Sequence, residues 1–275
     1  MSKFGTLYVD SDSFFHRMEP SLKLLVFLLW SVTVFMFLDL RVDIFLLVLG
    51  IILLSLSRIP FIIIRNLFIV VIIFNLINAL FIFLITPDYG TILTGKTTVL
   101  CNLWHYSLTL ETLFYLLTLS LKYISLMPMA MILIFTTHPS RFASSLNRVG
   151  IPYKIAYTFN IIFRYIPDIQ NEFKTIAQAQ AARGMSFGKD EKSFTKRVRN
   201  LFNLTIPLIN SALERIDKVT NAMDLRGFGK YKTRTWYNTT KIKASDYVVL
   251  LVLIIMFGLF LSIKITDTSM FWYPL

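Results

Sequence analysis

Uninterrupted runs of Leu, Ile, Phe and Val, separated by short polar breaks, recur along the chain and predict five membrane-spanning helices. The first covers Leu22 to Leu38 and stops at Asp39, Arg41 and Asp43. The second covers Ile44 to Leu56 and turns at Arg58 and Pro60. The third runs from Phe61 to Ile85, with Arg65 near its start, where a long stem can snorkel to the interface. Pro87, Asp88, Gly90 and Gly95 then mark a loop, and Trp104, His105 and Tyr106 read as an interfacial aromatic belt. The fourth span covers Leu110 to Phe135, with a bend expected at Pro128, and the last covers Tyr247 to Ile263. Stretches of about 20 apolar residues match the thickness of a bilayer core. No water is present there to satisfy backbone groups, so the segments must be helices or closed barrels. The runs are continuous, not alternating, and helices are the prediction.

The pattern changes between spans four and five. Ile155, Phe159, Ile162, Ile166, Ile169, Phe173 and Ile176 recur at spacings of three and four, the stripe of an amphipathic helix, which Pro167 should bend. A second periodic run holds Phe194, Val198, Leu201, Ile209, Leu213, Ile216 and Met223, opposite Lys196, Arg197, Asn200, Asn203, Asn210, Glu214, Asp217 and Lys218. Pro207 interrupts it, which leaves open whether it is one helix or two. The fold class expected is an all-α integral membrane protein, about five transmembrane helices plus a cytoplasmic domain of long amphipathic helices. Residues 1–136 hold the N-terminal segment and spans one to four, 137–243 the amphipathic domain, and 244–275 the last span and an extracellular C-terminus.

Charge fixes the expected orientation. The chain of 275 residues nets +12; between Thr137 and Lys243 stand 19 Lys and Arg against 7 Asp and Glu, and the remainder carries 9 of each. Such a segment suits nucleic acid, anionic headgroups or an acidic protein surface. Beside a spanning helix, its main reason is retention on the cytoplasmic side. Alternation then places the N-terminus inside and Phe271-Trp272-Tyr273 outside, in a multi-pass protein of the cell membrane. Met1 to Glu19 are polar and mixed in charge, without a cleavable signal pattern. A single cysteine, Cys101, excludes an internal disulfide and a multi-cysteine metal site.

Candidate chemistry is sparse. There is no P-loop, so ATP hydrolysis is not expected of this chain. His16, His105 and His138 are scattered, and no carboxylate pair or Ser/His/Asp set marks a recognisable site. No catalytic residue, cofactor or metal is expected. Lys122 stands deep in span four, where a charge is expensive and faces a partner or a cavity; an interhelical hydrogen bond to Ser or Asn, such as Asn75 or Asn78 of span three, is the simplest expectation.

Both amphipathic runs end alike. The first closes with Ala181-Ala182-Arg183-Gly184-Met185-Ser186-Phe187-Gly188, the second with Ala222-Met223-Asp224-Leu225-Arg226-Gly227-Phe228-Gly229. Gly just past a helix is a common stop, and a terminal Arg favours the dipole, so one such end needs no function. Two on consecutive basic helices present two permanently charged, five-donor side chains, suited to acceptor sites on two related partners.

These paired motifs, the second set in Ala-Met-x-x-Arg-Gly-Phe, resemble the T components of energy-coupling-factor transporters. The N-terminal sequence His16-Arg17-Met18-Glu19-Pro20-Ser21-Leu22-Lys23-Leu24-Leu25 is similar to the family's usual His-Arg-Leu-Asp-Pro-Arg-x-Lys-Leu-Leu, departing at Met18, Glu19 and Ser21. Arg164-Tyr165-Ile166-Pro167 is a further match, and the resemblance extends from about Ser11 to Leu261. It implies a non-catalytic coupling subunit. Arg183 and Arg226, flanked by Ala182 and Gly184 and by Leu225 and Gly227, would dock in grooves of two ABC-type ATPases, separate or fused. The amphipathic helices would carry ATP-driven closure to a membrane S component that binds a vitamin, a related micronutrient or a metal ion. His16, Arg17, Glu19, Pro20 and Lys23 would form the N-terminal motif. Lipid and protein partners are expected, and nucleic acid is not. The competing readings are a membrane enzyme acting on lipid or polyprenyl phosphates, which needs an Asp cluster or a His/Arg constellation, and an ordinary ABC permease, which needs one coupling loop and a polar path.

Overall fold

The computed structural model describes residues 8–95, 97–103, 106–185, 194–231, 233–236 and 242–266, except the side chains of 100–103, 106–108, 194, 196, 197 and 266. In chain order the elements are α1 (Phe14–Arg17), α2 (Pro20–Met36), α3 (Leu40–Leu56), α4 (Phe61–Ile85), α5 (Tyr89–Thr94), β1 (Val99–Leu103), β2 (Tyr106–Thr109), α6 (Leu110–Thr136), α7 (Pro139–Arg148), α8 (Tyr153–Ala182), α9 (Phe194–Leu225) and α10 (Ala244–Thr266). They form two compact units: α7 to α9 in one, the remaining elements in the other.

In the unit that holds the apolar helices, an element stands where each of the five spans is expected. Three of them, α4, α6 and α10, are long and apolar enough to cross a bilayer. The other two, α2 and α3, have 17 residues each, or ~26 Å of helix, the lower end of what spans a hydrocarbon core. The central element is α6, which packs against α2, α3 and α4, while α2 also meets α10. Trp30 is fully buried and donates its indole N–H to the Ser125 carbonyl at 3.1 Å. Val26, Leu46 and Ile132 fill the same core. The outward faces of α4 and α10 expose Phe61, Val70, Ile85, Val248 and Ile255; hydrocarbon is the solvent such faces require.

Two features of this unit depart from expectation. The loop before α6 forms a short antiparallel hairpin, with Asn102 opposite Ser107 and an irregularity between Val99 and Cys101. It is held onto α6 by the buried Glu111, which accepts from the Thr98 N–H at 3.1 Å and from its hydroxyl at 2.6 Å. Thr109 caps the helix by accepting from the Thr112 N–H at 3.3 Å. Trp104 and His105, expected as an interfacial belt, lie outside the described residues, as does the Tyr106 side chain. The second departure is Lys122. Its ammonium donates to the Phe35 carbonyl of α2 at 3.4 Å and lies in the field of Asp43 on α3, whereas Asn75 bonds Val71 of its own helix at 3.0 Å. The expected pairing with span three fails because the ammonium is turned toward α2 and α3. Asp43 is fully buried, and neither of its carboxylate oxygens has a hydrogen-bond partner among the described residues.

The other unit adds a helix that periodicity did not suggest: α7, ten residues long, buries Ala143 and Leu146 and packs on α8. At the start of α8, Tyr153 and Ala156 are buried in turn. With 30 and 32 residues, α8 and α9 run for ~45 Å or more. Each is continuous through its proline, Pro167 or Pro207, so the second amphipathic run is one helix. An internal proline removes one hydrogen bond and crowds one carbonyl; several turns on either side outweigh that loss.

Candidate functional site

The paired helices α8 and α9 are antiparallel, fixed by a ladder of polar contacts. Near the C-terminus of α8, Met185 lies 3.9 Å from the Asn203 amide. Farther back, Glu172 accepts from Arg215 at 2.5 Å and from the Ser211 hydroxyl, and Arg215 stacks over the Tyr165 ring. At the N-terminal part of α8, Tyr157 meets Phe228. The two Arg-Gly ends therefore stand toward opposite ends of the pair. Roughly 20 residues of helix, ~30 Å, separate their levels.

Both ends are Schellman turns of the same form. After α8, the Gly184 N–H donates to Ala181 at 2.9 Å and the Met185 N–H to Gln180 at 3.1 Å; after α9, Gly227 donates to Asp224 at 2.9 Å and Phe228 to Met223 at 2.9 Å. Gly184 and Gly227 have φ of 84° and 67°, the left-handed conformation that spares a residue without Cβ. Each Arg is thus the helix cap, one place beyond the last helical residue, and its side chain leaves the helix where backbone carbonyls are already satisfied. Ala182, Arg183 and Gly184 are exposed, as are Arg226 and Leu225, the latter at 90%; Gly227 is half-buried. No carboxylate among the described residues forms an ion pair with Arg183 or Arg226.

The chain leaves the two caps differently. Residues 186–188 of the first motif lie outside the described residues. Beyond the second cap, Phe228 packs between Tyr153 and Tyr157 at ring separations of 5.6 and 5.0 Å, and Trp236 donates to the Asn147 side chain of α7 at 3.0 Å. The chain after α9 is thereby folded back along α8, and Arg226 lines a cavity of about 500 Å³ between the two helices.

The apolar stripes do not close on one another. Ile155, Phe159, Ile162, Ile169 and Phe173 of α8 are exposed, as are Leu201, Ile209, Leu213 and Ile216 of α9. An extended exposed apolar surface on a domain otherwise rich in charge marks an interaction face. The side chains of Phe194, Lys196 and Arg197 lie outside the described residues.

The N-terminal motif is a buried polar junction. The His16 Nε2–H donates to the Val9 carbonyl at 2.9 Å, which leaves Nδ1 to accept from the Ser13 hydroxyl at 2.7 Å. Burial pushes the His16 pKa below its ordinary value, in keeping with a neutral ring. Arg17 makes a bidentate, exposed pair with Asp12 at 2.7 and 2.5 Å. Glu19 caps α2 by accepting from the Ser21 N–H at 2.7 Å, and the Ser21 hydroxyl donates to the same carboxylate; Pro20 fills the first helical position. Lys23, 1% exposed, donates to the Thr136 carbonyl at 2.9 Å and to the hydroxyls of Thr136 and Thr137, closing the C-terminal end of α6. Asp246 of α10, which the sequence did not single out, accepts from the Glu19 N–H at 3.4 Å and from the Lys243 N–H at 3.2 Å. These residues join α1, α2, α6 and α10.

Known proteins of the same pattern are numerous. The profile of the family described as cobalt transport protein matches residues 11–237. An energy-coupling factor transporter transmembrane protein of Lactococcus lactis is 27% identical over 257 residues, 90% of this chain and 93% of the relative. Its counterpart from Heliobacterium modesticaldum is 30% identical over 252 residues (88% and 90%), and that from Bacillus subtilis 26% over 265 residues (94% and 96%). The match spans the N-terminal junction, the spanning helices and both Arg-Gly turns, and the chain belongs to this family, the transmembrane T components of energy-coupling factor transporters.

Proposed function

We propose that this chain is the non-catalytic coupling subunit of an ATP-driven importer, with Arg183 and Arg226 docking on two ABC-type ATPase subunits, or on two halves of a fused one. The observation that carries the reading is the pair of identical Schellman turns, each presenting an exposed guanidinium toward opposite ends of one antiparallel helix pair. Two equal ligands about 30 Å apart suit two similar receptors that move relative to each other. The exposed stripes of α8 and α9 offer an apolar face on the same two helices, and a membrane S component that binds a vitamin, a related micronutrient or a metal ion is the partner assigned to it. Closure of the ATPases on ATP would draw on the docked turns, and the helices would carry that displacement to the S component. The excess positive charge of residues 137–243 supports a cytoplasmic side for this unit and for the N-terminus, which would leave the C-terminus outside.

The test is affinity purification of the tagged chain in mild detergent, followed by mass spectrometry of what accompanies it. Two ABC ATPase polypeptides or one fused chain, with a small multispan protein, is the result expected. Recovery of the chain alone, even after crosslinking, would overturn the reading.

A further inference from the structure

We propose that the crevice between α3, α4 and α6 is a phospholipid site, which takes one acyl chain along its length and the lipid phosphate on Arg65. The crevice holds about 480 Å³, and its walls run from Leu47 to Ser55 on α3, from Phe61 to Phe68 on α4 and from Ile124 to Met131 on α6. Its cause is uneven packing. Gly50 brings α3 so near to α6 that an added Cβ would stand 3.0 Å from the Cβ of Pro128. The fourth helix packs on α6 but has little contact with α3. A wedge is left between α3 and α4, with Met127 and Pro128 of α6 behind it.

The dimensions select the occupant. Seven or eight residues of helix on each wall make the crevice ~10–12 Å long, close to the ~15 Å of hydrocarbon in one leaflet. Spread over that length, the volume gives a section of about 45 Å², roughly half that of a helix about 10 Å across, so an acyl chain enters where a partner helix does not. Water is a poor alternative, because apolar cavities stay dry. The Ser55 hydroxyl in the lining is already spent on the Ile51 carbonyl, at 2.9 Å. Charge then fixes the direction of the lipid. Arg65, one turn inside α4, is the one charged residue of the lining, and no carboxylate accompanies it. Its stem is long enough to carry the guanidinium to the interface, where the phosphates of that leaflet stand. A planar guanidinium grips a phosphate through paired hydrogen bonds. Because α3 ends and α4 begins at this level, the orientation proposed above makes the leaflet the cytoplasmic one.

The site belongs to the spanning unit and is measured on the full chain without transporter partners, so its failure leaves the ATPase-docking reading untouched. The detergent-purified chain is equilibrated with dioleoylphosphatidylglycerol and dioleoylglycerol in equal amounts; the two carry the same chains, and only the first has a phosphate. Retained lipid is counted by native mass spectrometry. About fivefold greater retention of the phospholipid is expected, the effect of one interfacial cation. Arg65→Gln should remove that preference, whereas Arg41→Gln, at the other end of α3, should leave it and so controls for net charge. Ile51→Trp places bulk in the crevice at a half-exposed position and should abolish the retained lipid. Ile52→Trp, equally exposed but outside the lining, should keep it, and both should unfold at the temperature of the parent chain. Equal retention of the two lipids, an unaffected Arg65→Gln, or the same outcome for both Trp variants would overturn the proposal. So would crosslinking of Ile51→Cys to a small multispan protein in place of lipid, which would give the crevice to the S component.

Discussion

Arg183 and Arg226 occupy the same position in the same turn, yet among the described residues the first cap has few tertiary contacts and the second is packed against the opposite helix. At Arg183, hydrogen bonds from Gly184 and Met185 to α8 are what the described residues provide, together with the contact of Met185 on Asn203. At Arg226, the turn continues into Phe228, whose ring is gripped by Tyr153 and Tyr157 of the opposite helix. The two turns share the same pair of backbone hydrogen bonds, while tertiary packing fixes the second turn to the body of the unit. The difference teaches that the repeated motif encodes the presentation of an arginine, and that the stiffness behind each arginine is set separately. If the turns dock on two ATPases as proposed, the better anchored one would transmit displacement with less loss.

The largest effect tests what the two ends share. Arg183→Glu and Arg226→Glu together should abolish recovery of ATPase with the purified chain and abolish uptake in cells. A buried charge-assisted contact contributes about 1.5–3 kcal/mol, so either change alone should reduce recovery by about tenfold or more. The thermal unfolding of the spanning unit should not move, because both side chains are exposed. Normal uptake by the double variant would break the comparison at its root, leaving both turns as ordinary helix stops.

Much of this was legible in the sequence, and the gaps have a common cause. The spans follow from composition and length, and both Arg-Gly ends follow from local backbone rules, so neither requires tertiary knowledge. The Phe228 anchor was not legible because its partners, Tyr153 and Tyr157, stand about seventy residues earlier, and nothing local specifies that α9 returns along α8. Lys122 illustrates the same limit. Its depth in α6 marks it as functional or paired, but the facing residue depends on which helices α6 packs against, and the ammonium faces Phe35 and Asp43 instead of Asn75. The helix α7 was missed although its ten residues are amphipathic, because the side it buries, Ala143, Ser144, Ser145 and Leu146, is short and holds only one large apolar residue. Pro207 left one helix or two open, and the helix runs through it.

The second test separates the two ends. Phe228→Ala removes two aromatic contacts, each worth about 0.5–1.5 kcal/mol beyond area, and should free the Arg226 turn while leaving the Arg183 turn as it was. Hydrogen exchange of the amides of Gly227 and Phe228 should accelerate by roughly fivefold to a hundredfold, as expected for about 1–3 kcal/mol, with Gly184 and Met185 unchanged. Acceleration at both ends would mean that the pair opens as one cooperative body and that the contrast in anchoring has no local meaning.

The smallest effect tests whether the caps are as alike as their hydrogen bonds. Ala at Gly184 or at Gly227 places a Cβ in a left-handed conformation, at a cost of about 1–2 kcal/mol. No atom among the described residues lies within 4 Å of the added carbon at either position, so backbone strain is the whole penalty. Exchange at the Met185 and Phe228 amides should therefore rise by a similar factor, about five to thirty, in Gly184→Ala and Gly227→Ala respectively. A distinctly smaller rise at Phe228 would sharpen the comparison, because the aromatic grip would then hold the turn closed even when its glycine is gone. A smaller rise at Met185 would reverse it and point to an anchor on the Arg183 side among residues 186–193.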